Sequence, residues 1–342
     1  MDHPFITAMP NSGWAVEARG LVKAYGGHRA VNGADLRVRT GTIYSVLGPN
    51  GAGKTTTMRM LATLLRPDAG SARIFGYDAV KQPHIVRQLI AVTGQYASVD
   101  ESLTAYENLI LFARLLGLGR AAARRRAAEL LEQFGLTEAA NRSLKQFSGG
   151  MRRRMDLAAS LIVQSPLIFL DEPTTGLDPH TRAKMWDMIR SLVKTGSTVL
   201  LTTQYLEEAD QLADRIAVMD RGQVVAEGTA DELKTSVGTS SLQLRVLHAR
   251  DIADARHIVE HVLQVQSHLT AESGKITAPM KNADQLADLL IAFRTRGIPL
   301  VEISVQKPTL DEVFMSIIGH RAAQDAPPES ERSNGAREGT NG

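Results

Sequence analysis

One octapeptide constrains the fold more than any other feature of the sequence. Residues Gly48–Thr55 read GPNGAGKT and match the pattern G-x-x-x-x-G-K-[ST]. The apolar run Ile43–Leu47 precedes them, and a helical pattern over Thr56–Leu65 follows. In this order, the glycines let backbone N–H groups converge on phosphate oxygens at a helix N-terminus. We therefore expect a parallel α/β sheet with a phosphate site where one strand ends.

The side chains of this phosphate loop predict a nucleotide with a metal ion. Lys54 supplies a point charge for the β- and γ-phosphates, and the Thr55 hydroxyl is suited to bind Mg²⁺. The predicted nucleotide contacts of the loop are Gly48, Pro49, Asn50, Gly51, Ala52, Gly53, Lys54, Thr55 and Thr56.

A pair of acidic residues, Asp171 and Glu172, ends the apolar run that begins at Leu167. An aspartate at the end of a buried strand beside a phosphate loop is placed to hold Mg²⁺. The adjacent glutamate can orient the attacking water or accept its proton, so we predict Glu172 as the catalytic base. The alternative is that both acids only cap the strand before Pro173.

The pattern along the chain predicts two folded parts, in keeping with 342 residues and about 150 residues per domain. From Trp14 to Glu227, short β-rich runs alternate with helical patterns, which indicates a mainly parallel sheet. Ala30–Arg39 carries more charge and is expected in an antiparallel edge sheet. Thr104–Phe134 is expected to be a mostly helical insertion. The predicted buried strands are Thr42–Leu47, Leu167–Asp171 and Thr198–Thr202.

The second part is predicted to be a small α+β accessory domain. Strand-like alternation and helical spacing follow one another between Ser241 and Gly319. The predicted strands are Leu242–Leu247, Lys275–Ala278 and Leu300–Val305, and the predicted helices are Asp251–Val265, Asn282–Arg296 and Thr309–Ile318. We place the domains at residues 14–238, with a helical subdomain at about 100–165, and at residues 239–320. Residues 321–342 have no large apolar side chain and are expected to be disordered.

Composition narrows the classes of function. The chain has no cysteine, which excludes disulfides, thiolate chemistry and iron–sulfur clusters. With 39 Lys and Arg against 37 Asp and Glu, the charge favours no nucleic-acid partner. No run approaches the ~20 apolar residues of a membrane span, and the N-terminus does not resemble a secretory signal. We therefore expect a cytosolic chain that reaches a membrane only through another protein.

A short segment before the acidic pair makes a resemblance specific. Phe147–Met151 reads FSGGM and resembles the LSGGQ-type signature of ATP-binding cassette (ABC) ATPases, at the family's position upstream of Asp171 and Glu172. The resemblance covers Trp14 to about Glu232. It implies a P-loop NTPase cassette with a RecA-like parallel core, an antiparallel edge sheet and a helical subdomain. It also implies ATP and Mg²⁺ as ligands, and a homodimer of ATPase subunits.

The resemblance assigns further site residues. Tyr25 resembles the aromatic that stacks on adenine, and Gln95 the glutamine that reaches the metal and the attacking water. Asp178 resembles the residue of the D-loop, between the two ATP sites of the dimer. The residues that resemble those contacting the γ-phosphate on the opposite protomer are Ser148, Gly149 and Gly150. Taken singly, Tyr25 could be a packing residue, Gln95 an exposed loop residue and Ser148 a helix N-cap.

One position departs from the family. Gln204 follows the strand ending at Thr203, where the family usually has a switch histidine. Glutamine can donate a hydrogen bond to a γ-phosphate oxygen, but it cannot carry a proton as imidazole does. We predict Gln204 as the second catalytic residue, with a role that does not need imidazole chemistry.

Two arginine runs have to be explained. Arg124–Arg126 is expected to lie on a solvated helix face, with a position near acidic lipid headgroups as the alternative. Arg152–Arg154 lies near a predicted helix N-terminus, where the helix dipole disfavours cations, and we expect nearby nucleotide phosphate to offset this cost.

The subgroup follows from three features together. The segment 147–158, Gln204 and the closing Lys307–Phe314 resemble the daunorubicin/doxorubicin resistance ATP-binding proteins. This resemblance implies an ATPase subunit at the cytoplasmic face of the membrane. Such a subunit pairs with a separate permease and powers efflux of a drug, antibiotic or lipid-like compound. The cargo is not encoded here, because the permease forms the pathway.

Two other interpretations stay open at this stage. A non-transport ABC ATPase of DNA repair or chromosome maintenance would carry a long coiled coil or zinc cysteines, and one of translation would carry two cassettes. This sequence has a single phosphate loop and neither other feature. A catalytically idle relative is disfavoured by the intact Lys54, Asp171 and Glu172.

Overall fold

The computed structural model describes residues 13–93, 99–237, 240–270, 275–280, 284–306 and 308–315. The chain divides into two compact units between Ala230 and Asp231. This division falls at the start of helix α8 (Ala230–Val237), and the boundary proposed from the sequence falls just after its end.

The first unit contains two sheets. An antiparallel sheet has the order β2-β1-β4-β5, and a six-stranded sheet has the order β10-β9-β3-β8-β7-β6. The antiparallel sheet consists of β1 (Trp14–Tyr25), β2 (His28–Arg39), β4 (Ala69–Ile74) and β5 (Tyr77–Asp78). The larger sheet consists of β3 (Ile43–Leu47), β6 (Ile90–Thr93), β7 (Leu167–Asp171), β8 (Thr198–Thr203), β9 (Arg215–Asp220) and β10 (Gln223–Gly228). The expected antiparallel edge sheet and parallel core are confirmed.

The parallel core brings three chain segments to one edge of the sheet. Strand β8 pairs in parallel with β3 on one side and with β7 on the other. The phosphate loop follows β3, the acidic pair closes β7 and Gln204 follows β8. Because the carboxyl ends of parallel strands meet at the same edge, this topology gathers the predicted site residues of all three segments.

The central strands are buried on both faces, which explains why their sequences are nearly continuous apolar runs. In β7, the side chains of Ile168 and Leu170 pack into one hydrophobic core. The side chain of Phe169, between them, packs into the core on the opposite face. Every residue of β3, β7 and β8 is buried. Such strands position their terminal residues rigidly.

In the part of the chain that the structure describes, seven α-helices belong to the first unit before α8, and two of them, α3 and α4, form the helical insertion predicted at Thr104–Phe134. The seven helices are α1 (Lys54–Leu61), α2 (Pro83–Leu89), α3 (Ala105–Leu115), α4 (Arg120–Gln133), α5 (Gly149–Ser160), α6 (Pro179–Lys194) and α7 (Leu206–Leu212). Helix α3 begins with a capping box in which Thr104 accepts from the Glu107 backbone at 3.2 Å and Glu107 accepts from the Thr104 backbone at 2.8 Å. The arginine at 126 is not merely solvated, because its guanidinium donates to the carbonyls of Leu161 and Ile162.

The second unit is an antiparallel sheet with helices, and it has its own hydrophobic core. Its sheet order is β12-β13-β11-β14. The elements are β11 (Ser240–Val246), α9 (Ile252–Leu263), β12 (His268–Thr270), β13 (Lys275–Met280), α10 (Gln285–Arg296) and β14 (Leu300–Gln306), and residues 310–315 are also helical. Strand β12 was not predicted from the sequence, because three residues are too few to show alternation.

Among the residues that the structure describes, no helix is both long enough and apolar enough to cross a membrane.

Candidate functional site

The phosphate loop requires glycine at the points where other backbone comes close. Gly53 is the N-cap of α1 and has φ of 102°, a conformation that L side chains rarely adopt. A Cβ at Gly53 would lie 2.4 Å from the carbonyl oxygen of Ala30, and one at Gly48 would lie 2.2 Å from that of Met219. Only glycine fits at either position, because the loop packs directly against the backbone at Ala30 and Met219.

Lys54 lies beneath this loop and is only 6% exposed. Its Nζ donates to the carbonyl oxygens of Gly48 at 2.8 Å and Pro49 at 3.1 Å, and it lies 3.5 Å from Oε1 of Glu172. Burial lowers the pKa of Lys54, and the carboxylates of Glu172 and Asp171 oppose this shift. The ammonium is therefore held between the loop and the predicted base.

Asp171 lies in a shell of hydroxyl groups. It is 2% exposed, and its Oδ1 accepts from Thr55 at 3.0 Å and from Thr202 at 2.5 Å. Hydroxyl and carboxylate oxygens are ligands that Mg²⁺ prefers, and Mg²⁺ in nucleotide sites takes few protein ligands. Thr55 and Asp171 thus fit the metal for which the sequence proposes them. Thr202 was missed, because nothing local in β8 indicates that its hydroxyl faces β7.

Glu172 leaves the strand in an unusual backbone conformation, with φ of 47°. Its amide donates to the Thr202 carbonyl at 3.1 Å, and its Oε2 accepts from the Thr175 hydroxyl at 3.2 Å. The reversal of φ separates it from Asp171, whose side chain stays within the sheet edge. Glu172 instead turns its carboxylate toward the phosphate loop.

A cleft of about 410 Å³ joins these groups to Tyr25, which is 51% exposed at the end of β1. The cleft is lined by Tyr25, His28, Ala30, Asn50, Gly51, Ala52, Gly53, Lys54, Thr55, Thr56 and Glu172. His28 and Ala30 were not predicted as site residues; they follow the Gly26-Gly27 turn after Tyr25. That turn was the available signal, since it returns the chain past Tyr25.

The signature segment (Phe147–Met151) and the D-loop residue lie outside the lining of this cleft. Ser148 is the N-cap of α5 and accepts from the Met151 backbone at 3.3 Å. Asp178 is the N-cap of α6 and accepts from the Thr181 backbone at 2.9 Å. A Cβ at Gly150 would lie 2.7 Å from Cγ2 of Thr181, so the two helix N-termini meet there.

Gln204 directly follows β8 and is half-buried. The carbonyl of the preceding Thr203 accepts from the Gly48 backbone at 3.2 Å, which ties the switch position to the phosphate loop. Gln95 lies outside the described residues.

A buried polar cluster that sequence analysis missed supports the segment after Gln204. Glu208 on α7 is fully buried and accepts from the indole Nε1 of Trp186 at 3.3 Å. Burial raises the pKa of Glu208. The guanidinium of Arg182 lies 5.1 Å from the centre of the Tyr205 ring. These contacts join α6, which Asp178 caps, to the switch segment.

The second arginine run, Arg152–Arg154, has hydrogen-bond partners within the chain. Arg152 pairs with Glu101 at 3.0 Å, and Arg154 donates to the carbonyls of Phe134 and Gly135. Arg153 also bonds to backbone carbonyls. Groups of the same chain therefore bond all three guanidinium groups.

Two family models match the chain. The ABC transporter model matches residues 31–175, and the model of the C-terminal domain of DrrA1-3-like ATP-binding proteins matches residues 228–318.

Individual relatives match over nearly the whole chain. The daunorubicin/doxorubicin resistance ATP-binding protein DrrA of Streptomyces peucetius is 55% identical over 90% of this chain and 93% of its own. The linearmycin resistance ATP-binding protein LnrL of Bacillus subtilis is 33% identical over 89% of this chain and 98% of its own. A solved dimeric ATP-binding cassette, bound to ADP and Pi after hydrolysis, is 27% identical over 63% of this chain and 98% of its own, with a TM-score of 0.58.

Proposed function

The chain belongs to the ATP-binding proteins of ABC transporters, in the family of daunorubicin/doxorubicin resistance proteins, and we propose that it hydrolyses ATP to power drug export through a separate membrane permease. The observation that carries the proposal is the cleft in which the phosphate loop, Glu172 and Tyr25 meet. The relatives named for drug resistance favour this role over the non-transport alternative.

Nucleotide binding rests on the loop and its lysine. The backbone N–H groups of the glycine-rich turn and the N-terminus of α1 attract the phosphates, and Tyr25 offers its exposed ring to the adenine. Lys54 exchanges its bonds to the Gly48 and Pro49 carbonyls for phosphate oxygens. This exchange also loosens the contact between Lys54 Nζ and Glu172 Oε1, which lie 3.5 Å apart in the structure described above.

Catalysis rests on the two acidic residues. Thr55 and Asp171 would hold Mg²⁺, which when bound neutralises charge on the β- and γ-phosphate oxygens. Glu172, with its carboxylate at the cleft, orients the attacking water and accepts its proton. Gln204 holds a γ-phosphate oxygen by an amide hydrogen bond, which needs no proton transfer.

The dimer supplies the remaining contacts. Ser148, Gly149 and Gly150 do not line the cleft of their own subunit, which supports their assignment to the ATP of a partner subunit. The N-terminus of α5 presents backbone N–H groups suited to that γ-phosphate. The solved cassette described above is itself dimeric.

The first test separates nucleotide binding from fold. Lys54→Ala removes the phosphate charge, and we expect the chain to lose Mg-ATP binding, measured with a fluorescent ATP analogue. Lys184→Ala on the exposed side of α6 is the matched control and should bind as the wild type does. An affinity of Lys54→Ala within a few-fold of the wild type would refute the assignment of the loop.

The second test addresses transport. The chain should co-purify with a membrane permease of its own organism, and drugs that this permease carries should stimulate ATP hydrolysis by the complex. A complex that hydrolyses ATP without any response to drugs, lipids or antibiotics would contradict the export role while leaving the ATPase assignment intact.

A further inference from the structure

Arg153 connects the signature helix to the residue proposed as the base. It lies on α5, five residues after Ser148. Its Nη2 donates to the carbonyl oxygens of Asp171 at 2.6 Å and Glu172 at 3.1 Å, and its Nε donates to that of Pro173 at 3.1 Å. One guanidinium thus binds three consecutive carbonyls of the segment Asp171–Pro173, which we call the catalytic turn.

The catalytic turn needs such support because of its backbone. Glu172 has φ of 47°, a backbone conformation that is unfavourable for any residue with a side chain. On one side, its amide is held by the Thr202 carbonyl at 3.1 Å. On the other side, the carbonyls of the turn point to Arg153. The planar fork of arginine can serve several carbonyls at once, which the point charge of lysine cannot do.

The electrostatic surroundings keep the guanidinium charged. Burial lowers the pKa of Arg153, but the nearby carboxylates of Asp156, Asp171, Glu208 and Glu172 oppose that shift. Charge-assisted hydrogen bonds are stronger than neutral ones, so this contact is suited to resist distortion of the turn.

We propose that Arg153 is a positioning residue that holds the Glu172 carboxylate in register with the attacking water, and that it links this carboxylate to Ser148 through α5. The link rests on the proposed function, in which Ser148 contacts the ATP of the partner subunit. ATP in the partner's site then acts through α5 and Arg153 on the catalytic turn of this subunit. The new element is the assignment of Arg153 as the residue that carries coupling between the two ATP sites of such a dimer.

The variant that tests positioning is Arg153→Lys, which keeps the charge but loses the fork. Arg152→Lys is the matched control, because Arg152 is on the same helix and bonds Glu101 and the Leu144 carbonyl instead of the turn. We expect kcat to fall by about tenfold to a hundredfold in Arg153→Lys, since a catalytic group displaced by about 1 Å loses rate on that scale. ATP affinity should stay unchanged in both variants.

Hydrogen exchange without nucleotide gives a readout that does not depend on activity. In Arg153→Lys, amides of the peptide covering residues 170–177 should exchange faster by about tenfold, and in Arg152→Lys they should not. A fall in kcat without faster exchange in this peptide would overturn the proposal. If the wild type proves inactive while the exchange result holds, the proposed function fails and the support of the turn by Arg153 stands.

A double variant asks whether Arg153 acts through Glu172. In the Glu172→Gln background, Arg153→Lys should cause no further loss of residual hydrolysis. Independent, multiplying losses would overturn the positioning role.

The coupling between the two ATP sites is measured by how the rate of hydrolysis depends on ATP concentration. The wild type should have a Hill coefficient above one and Arg153→Lys one near unity, and equal coefficients would overturn the link to the partner.

Discussion

At the scale of single residues, two neighbouring acids have different surroundings. Asp171 stays in the strand, 2% exposed, and accepts from two threonine hydroxyls. Glu172 reverses its backbone and faces the phosphate loop. The surroundings of Asp171 suit a metal ligand, and those of Glu172 suit a proton acceptor. Substitutions at the two positions should therefore have different effects on ATP hydrolysis.

The base and the switch residue should differ in importance. Glu172→Gln keeps the shape but loses the carboxylate, so hydrolysis should fall ~10²-fold or more while ATP-bound dimers accumulate. Gln204→Ala removes one amide hydrogen bond and should slow turnover by only about tenfold. Steady-state turnover of both variants tests this ranking. If Gln204→Ala were as inactive as Glu172→Gln, the two residues would be equally important for hydrolysis and this ranking would be wrong.

Gln204→His should stay active, because imidazole can donate the same hydrogen bond. It should also acquire a pH dependence near the histidine pKa of about 6.5, which the wild type lacks. Turnover measured across roughly pH 6 to 9 checks this, with the wild type as the control. A flat profile for Gln204→His would mean that the side chain at this position does not reach the phosphate.

Asp156 on α5 makes the stability depend on pH. Its Oδ1 is buried without a hydrogen-bond partner, and burial raises its pKa to about 6, against the opposing charges of Arg153 and Arg152. Because the folded-state pKa lies above the usual 3.8, ionisation of Asp156 costs folding free energy as the pH rises from 3.8 through about 6. The cost is fully present above this range.

Asp156→Asn should therefore raise the free energy of unfolding at about pH 8 by about 1–2 kcal/mol, allowing for solvent screening of this partly exposed group. At about pH 4, where Asp156 is mostly protonated, the two proteins should be nearly equal. Urea unfolding at the two pH values measures the difference. An equal effect at both would show that the charge of Asp156 is not the cause.

At the scale of elements, helices α5 and α6 meet at their N-termini with no room for another methyl group. A Cβ at Gly150 would lie 2.7 Å from Cγ2 of Thr181, whereas a Cβ at Gly149 would have nothing within 4 Å. The Thr181 hydroxyl donates to Asp178 at 2.6 Å, which restrains this side chain from moving aside. The signature segment and the D-loop residue are therefore coupled sterically.

Gly150→Ala should lower the free energy of unfolding by about 1–3 kcal/mol through overpacking. When it is combined with Gly150→Ala, Thr181→Ser should restore most of the lost stability, because it removes the methyl group and keeps the hydroxyl that bonds Asp178. Gly149→Ala is the control and should be neutral or slightly stabilising, since alanine favours the helix. Chemical unfolding without nucleotide measures the wild type, the two glycine variants and the Gly150→Ala, Thr181→Ser double variant. An equal loss of unfolding free energy in Gly149→Ala would contradict the steric explanation.

At the scale of the whole molecule, the first unit contains two hydrophobic cores and the second unit has a core of its own. The complete site, in the proposed function, requires a second copy of the first unit. The residues that line the cleft belong to the phosphate loop, Glu172 and β1–β2, and the signature residues are not among them. ATP hydrolysis should therefore depend on dimerisation.

Mixing two inactive variants tests this dependence. Ser148→Arg subunits keep their phosphate loop, and Lys54→Ala subunits keep their signature segment, so a mixed dimer contains one intact composite site. Neither variant alone should hydrolyse ATP, and the mixture should recover activity. Wild-type activity that stays linear in protein concentration down to the monomer regime would contradict the dimeric site.

The sequence alone determined the features that depend on local spacing. Three local signals predicted the parallel core and the family: the glycine pattern of Gly48–Thr55, the apolar runs at β3, β7 and β8, and the segment Phe147–Met151. Both predictions are confirmed. Each of these signals lies within a few consecutive residues, because strand burial, helix starts and phosphate loops follow from neighbouring residue types. The roles of the individual site residues remain predictions.

Only the tertiary structure decided the contacts between distant segments. Three contacts join residues that lie far apart along the chain. The Thr202 hydroxyl donates to Asp171, the Arg153 guanidinium donates to three carbonyls, and the Thr181 methyl group lies against Gly150. No local pattern encodes them, since they depend on which strands pair and where helices end. Two of these segments also hold Glu172, since its carbonyl accepts from Arg153 on α5 and its amide donates to the Thr202 carbonyl of β8. Its left-handed backbone conformation is therefore stabilised by residues distant in sequence.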